Sequence, residues 1–365
     1  MFKVKKHKAL FIFIALTATI MGSLAFLYLP DRFFADANTI TLDRYNEAGW
    51  MGSYPFTMSF YKLIGFNNLP YSIVALIQLP ILFYCIYKLS IPESFSKPYL
   101  RNVIVWICLI MICFFISFPS KEFINIIFLY FVAKVLIMPK NLRYKIFSSI
   151  LMFVGFGIIF RQYYIIVPVI AISLYLINLV SIKNKAISNV FFGILIVCFL
   201  SLSYGVIKGE FMSEGSRESL NQRRIARGDQ NADTMILSPV DSHSAIGESI
   251  SIFYGFFTVN LPLNGLKFWY KPQVILFLLW QFLMFYLLFN YYSKALKNED
   301  FKHETWVFHL VFSYFILQGV FEPDLGSAIR HKIGILPLIW LAIYYDKGFI
   351  KRPKIKKKYV FRITK

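Results

Sequence analysis

Apolar runs of about 17 to 22 residues recur along this chain, each long enough to cross the hydrocarbon core of a bilayer as a helix. A soluble domain needs a polar shell. A chain of 365 residues that is 58% hydrophobic and carries 40 Phe has too little polar surface to make one. The runs predict an all-α polytopic integral membrane protein with ten transmembrane helices, over 9–29, 70–90, 102–118, 122–138, 146–160, 163–182, 188–207, 273–293, 305–321 and 329–345. Two long outer loops, 30–69 and 208–272, separate some of them. The stretch 250–268 is also apolar, but "NLPLNG" interrupts it with Pro262 and Gly265. It reads as a re-entrant or interfacial helical segment, because non-helical backbone at membrane depth needs protein or water around it. Residues 1–345 make a single membrane domain, and 346–365 a basic cytoplasmic tail.

Charge supports this count. With the N-terminus inside, the inner segments hold 25 Lys and Arg and 5 acids, whereas the outer ones hold 14 of each. The whole formal +20 therefore lies on the inner face, as the positive-inside rule requires. The tail "KGFIKRPKIKKKYVFRITK" orients the last span and meets anionic lipid, so nucleic acid is not the expected partner. The run Leu10 to Leu29 follows the basic leader "MFKVKKHK" but is too long for a signal peptide and lacks a clean cleavage site, so it reads as an uncleaved first span. Cys85, Cys108, Cys113 and Cys198 all sit inside apolar runs, which implies buried thiols and no disulfide framework.

Fourteen of the nineteen acids fall outside, so chemistry is expected on the outer face at the membrane boundary. No phosphate-cradling loop, zinc spacing or dinucleotide fingerprint occurs, and neither a metal nor a cofactor is expected.

In the first outer loop, "PDRFFADANTITLDRYNEAGWMGSYPF", Asp36, Asp43 and Glu47 lie among aromatics. Asp43 and Glu47 would share a face if "LDRYNEAGW" is helical, pointing carboxylates at a lipid-linked substrate from the interface. One of them would serve as a general base, within hydrogen-bond reach of a hydroxyl. A solvated loop with Asp–Arg pairs is the plainer alternative.

The hairpin "SFPSKEFIN" puts Lys121 and Glu122 at a helix start, with Ser120 as N-cap. The helix dipole accounts for Glu122 but not for Lys121, which points to an external anion or an acidic partner. Arg161 in "IIFRQYYIIV" has almost no loop around it and faces the outer mouth of the bundle unless it snorkels.

The late loop "SRESLNQRRIARGDQNADT" carries Arg217, Arg223, Arg224 and Arg227, some at helical spacing. Guanidinium forks suit phosphate, whereas Glu214, Glu218, Asp229 and Asp233 suit an ordinary salt-bridged helix. Finally, "EPDLGSAIRHKIGILP" sets Arg330, His331 and Lys332 side by side on the outer face. Arg330 and His331 point about 100° apart on a helix, so one of them must enter the bundle. Glu322 and Asp324 across the turn are candidate partners for them.

These features resemble the Wzy-type polymerases of O-antigen and capsular polysaccharide. "GSAIRHKIGILP" looks like their Arg-His-Arg or Arg-His-Lys stretch. The arginine-rich late loop and the span number are also similar, and Arg217 and Gly228 have the Arg-x10-Gly spacing described for such loops. The resemblance covers the chain by topology but by motif only near its end.

It implies a metal-independent, inverting glycosyltransferase on the periplasmic face of the bacterial inner membrane, with both termini cytoplasmic. Undecaprenyl-pyrophosphate-linked glycan would be the substrate, membrane lipid a second partner, and a chain-length regulator a third. Arg161, Arg217, Arg223, Arg224, Arg330, His331 and Lys121 would hold the departing pyrophosphate, and Asp43, Glu47 or Glu122 would be the base. Electrostatic stabilisation of the leaving group would carry most of the rate gain. A GT-C-class transferase using a polyprenyl-phosphate sugar, with a first-loop acid, is the alternative. An O-antigen ligase shares the chemistry of the polymerase, and a lipid-linked-sugar flippase would need charges inside its spans, where few are found.

Overall fold

The structure, a computed structural model, describes residues 5–180, 183–226 and 234–353. Arg227, Gly228, Asp229 and Asp233, and the tail from residue 354 onward, lie outside them. The first half of the chain forms α1 (Lys6–Ser23), α2 (Ala35–Leu42), α3 (Ser53–Leu63), α4 (Tyr71–Tyr87), α5 (Leu100–Phe115), α6 (Lys121–Ile137), α7 (Leu142–Ile159) and α8 (Ile166–Ile177). The second half forms α9 (Lys185–Lys208), α10 (Ser219–Ala226), α11 (Ala245–Asn260), α12 (Pro272–Lys297), α13 (Lys302–Phe321), α14 (Leu325–Gly334) and α15 (Leu336–Ile343). Among the described residues no strand forms. One isolated bridge pairs Met235 with Asp324.

Four helices are long and apolar enough to cross a membrane: α7, α9, α12, and α13 with its leading turn from Glu299. A fifth is added if α14 and α15 count as one span broken by a bend of 71°. The other expected spans coincide with helices of 16 to 18 residues, namely α1, α4, α5, α6 and the segment Gln162–Ile177. The last expected span, 329–345, coincides with this bent pair. Pro337 near the start of α15 has no N–H to donate and clashes with the preceding turn, so Ile335 leaves helical geometry and two short helices replace one.

α13 is the axis of the bundle, with 94% of its apolar window buried. Around it, α1, α7, α9 and α12 turn large apolar side chains outward, among them Phe13, Phe147, Phe199 and Leu276. Polar staples tie the helices inside: Asn189 Nδ2 on α9 donates to the Tyr292 hydroxyl on α12, which meets His309 Nδ1 on α13 at 2.9 Å. The apolar stretch 250–268 breaks where Pro262 and Gly265 predicted. α11 ends at Asn260, and a 3₁₀ turn follows over Leu263–Phe268. All four cysteines are buried free thiols.

Candidate functional site

Local sequence explains how each charged side chain is presented. Ser120 caps α6 by accepting the Phe123 N–H, which sets Lys121 and Glu122 on its first turn. Asp324 caps α14, its Oδ1 accepting from Ser327 N at 2.7 Å, and starts the turn that carries Arg330 and His331. Arg161 stands in extended geometry between α7 and a 3₁₀ turn over Gln162–Ile165. That hairpin closes because Gly157 has no side chain: a Cβ there would meet Ile165 at 2.6 Å.

The helix ends bring these groups into one continuous network. Arg330 Nη1 lies 2.6 Å from Asp36 Oδ2, and Lys121 Nζ lies 3.6 Å from the same oxygen. Tyr54 donates its hydroxyl to Asp36 Oδ1 at 2.6 Å, and its ring lies under the Lys121 ammonium at 3.5 Å. Next to Lys121, Glu122 takes both amino groups of Arg161, at 2.6 and 3.3 Å. His331 links Glu122 to Glu322, with Nε2 3.3 Å from Glu122 Oε1 and Nδ1 2.6 Å from Glu322 Oε1. Carboxylates only accept, so an imidazolium with two N–H donors satisfies both sides.

Four cationic or protonatable groups thus face three carboxylates, and donors are in surplus. Lys121 has three N–H groups, yet its nearest carboxylate oxygen lies beyond hydrogen-bond distance. Arg330 Nε has no partner among the described residues. Burial alone would raise the Asp36 carboxyl. The charges of Lys121 and Arg330 and the Tyr54 hydrogen bond more than offset this and hold it well below the usual carboxylate range.

Five expected site residues therefore meet: Lys121, Glu122, Arg161, Arg330 and His331. The others do not join them. "LDRYNEAGW" is not helical, because α2 stops at Leu42 and both Asp43 and Asn46 take positive φ. Asp43 instead accepts the Glu47 N–H at 2.7 Å and lies 3.6 Å from Lys62, so the shared face of Asp43 and Glu47 does not form. Arg217 sits on a π-turn (Glu214–Glu218) and points inward. It is fully buried and donates to Gly319 O at 2.7 Å and to Ser251. Arg223 is exposed, and Arg224 pairs with Asp324 at 2.8 Å. Arg217 and Arg224 therefore tether the late loop, and Asn221 also donates to Pro323 O and Ile236 O, pinning this segment over the turn before α14. Of the two acids before α14, Glu322 meets the basic trio through His331, while Asp324 turns to Arg224. Lys332 lies apart from the cluster, donating to Val259 O at 2.7 Å near the end of α11.

Asp36, noted in the sequence among the aromatics of the first outer loop, takes the place expected of Asp43, while Tyr54 and Gln318 are site residues that sequence patterning did not select. Gln318 alone left a signal, standing one helical turn before Glu322, to which it donates at 3.0 Å. Among the described residues no group of three or more His, Cys, Asp or Glu side chains is arranged to hold a metal ion. No family model, no curated protein and no solved structure matches this chain.

Proposed function

We propose that the chain is a polytopic membrane glycosyltransferase. It joins lipid-pyrophosphate-linked oligosaccharide repeats into O-antigen or capsular polysaccharide on the periplasmic face of a bacterial inner membrane. The observation that carries the reading is a segregation of charge. Asp36, Lys121, Glu122, Arg161, Glu322, Arg330 and His331 come from the loops, hairpins and adjoining span ends that a ten-span topology puts at the outer face, and they pair with one another. Lys5 with Glu93, Arg101 with Asp346, and Arg352 with Glu304 join segments that the same topology puts inside. None of these pairs crosses between the two sides. The outward apolar side chains of α1, α7, α9 and α12 supply a surface for lipid.

In this reading the donor pyrophosphate docks on Lys121 and Arg330, whose donors are not used up by Asp36. Arg161 is almost wholly buried and bidentate on Glu122, so it positions that carboxylate and does not touch substrate. As the sugar–phosphate bond breaks, charge builds on the leaving oxygen, and fixed cations in a water-poor site stabilise it without reorganising. A chain-length regulator as partner follows only from the likeness to Wzy-type polymerases. The test is deletion of the gene and gel separation of surface polysaccharide. Single repeats without a ladder are expected, and an unchanged ladder overturns the proposal.

One observation favours a second reading. A first-loop carboxylate, Asp36, belongs to the cluster, as in a GT-C-class transferase that uses a polyprenyl-phosphate sugar. Such an enzyme builds the repeat itself, so its deletion leaves truncated lipid-linked precursors, whereas loss of the polymerase leaves complete ones.

A further inference from the structure

The three carboxylates of the cluster are not equivalent. Asp36 has both oxygens engaged, Oδ1 by Tyr54 and Oδ2 by Arg330. Glu122 is held at both oxygens by Arg161, and the backbone of Gly334 closes over it so tightly that a Cβ there would stand 2.8 Å from Oε2. Glu322 differs. Its Oε1 accepts from Gln318 Nε2 and faces His331 Nδ1, but its Oε2 has no hydrogen-bond partner among the described residues, although the residue is only 3% exposed. Gln318 Oε1 is a second buried acceptor without a partner.

Beside these atoms is a cavity of about 80 Å³, walled by Tyr163, Tyr314 and Phe321 and bounded at its polar end by Gln318, Glu322 and His331. That is ample room for a hydroxyl group at its polar end. Its polar end presents unpaired acceptors, which call for an O–H donor. Tyr163 stacks on Phe321 with centroids 5.3 Å apart, and both rings line the cavity as a flat aromatic wall. Such a wall suits the C–H face of a pyranose.

We propose that this cavity receives the attacking hydroxyl of the acceptor sugar and that Glu322 Oε2 is the general base that removes its proton. The proposal rests on the glycosyl-transfer reading of the site. The acceptor O–H bond breaks and its proton passes to Glu322 Oε2. The freed oxygen pair forms the new bond to the anomeric carbon of the donor. The bond from that carbon to the pyrophosphate oxygen breaks, and its electron pair leaves on the pyrophosphate beside Lys121 and Arg330. Gln318 and His331 hold Oε1 so that the other oxygen faces the cavity. Glu322 then returns its proton to water when the product leaves.

The experiment uses purified full-length protein in detergent, with the lipid-linked repeat extracted from a strain lacking the gene. No polymer from the wild-type protein overturns the transfer reading, and the role of Glu322 with it. Given wild-type polymer, Glu322→Gln lowers turnover by about 100-fold or more and keeps its affinity for the lipid-linked donor. Glu322→Ala regains part of its turnover with added formate, which fits the vacated space. Wild-type turnover in Glu322→Gln, or no formate response in a folded Glu322→Ala protein, overturns the assignment. Tyr163→Trp narrows the cavity without changing a charge, and it raises the acceptor KM with little change in donor binding. An unchanged acceptor KM contradicts the location of the subsite.

Discussion

Arg330 reaches across 294 residues of chain to place Nη1 2.6 Å from Asp36 Oδ2. The contact ties the first long loop to the short helix before the last bend, and it leaves Asp43 with Lys62 outside the cluster. A deletion strain complemented with Asp36→Asn or Arg330→Ala is expected to give little or no polysaccharide ladder. Asp43→Asn is expected to give a ladder near the wild-type one. The reverse pattern, with Asp43 essential and Asp36 dispensable, would move the site out of the cluster.

Glu122 and Arg161 form a buried pair at 2.6 Å with almost no exposure on either side chain. Removing one partner leaves a buried charge uncompensated, which costs about 3–5 kcal/mol. Glu122→Gln is therefore expected to lower the unfolding free energy in detergent by that amount. Adding Arg161→Gln is expected to recover part of the loss. A single variant as stable as the wild type would mean that the pair does not hold the helix ends.

Asp36 also sets a pH dependence. Its carboxyl is held below its unfolded value, so its stabilisation is fully present above an unfolded pKa of about 3.9 and is lost as pH falls towards the depressed folded value. Thermal unfolding followed downward from about pH 5 is expected to show falling stability. Asp36→Asn, which has no such proton to bind, is expected to flatten the slope. Parallel slopes for the two proteins would contradict the pairing.

Gly255 on α11 packs against the Gly319 carbonyl and the Arg217 guanidinium so closely that any Cβ would overlap both. Neither neighbour is a free side-chain end, since Arg217 is itself bonded to Gly319 O. Gly255→Ala is expected to cost about 1–3 kcal/mol from overpacking and to loosen the tether of the late loop. Faster proteolysis within 208–244 at lower temperature is the readout, and wild-type resistance would argue against a tether.

Several parts of this architecture were legible in advance because they depend on neighbours within a helical turn or two. The Ser120 cap, the break at Pro262, the tight hairpin at Arg161 and the contact of His331 with Glu322 across the turn are of this kind. The arginines of the late loop are different. Their spacing left phosphate capture and an ordinary salt-bridged helix both open, and the structure turns Arg217 into the interior on a π-turn, pairs Arg224 with Asp324 and leaves Arg223 outside. The shared face of Asp43 and Glu47 depended on "LDRYNEAGW" being helical, and the left-handed Asp43 ends α2 at Leu42.

By itself the sequence determined an all-helical chain of apolar segments, a strong charge difference between its two expected sides, and five of the charged residues that meet. Those follow from composition, local capping and the cost of apolar surface in water. Only the tertiary structure decided which acid each cation faces. Glu122 meets Arg161 across 39 residues and Asp36 meets Arg330 across 294, separations over which no local periodicity carries information. It also decided that, of the three carboxylates in the cluster, Glu322 is the one with an oxygen left without a hydrogen-bond partner beside a cavity. That is a matter of how α13 and α14 pack, and of where the 71° bend before Pro337 turns the chain.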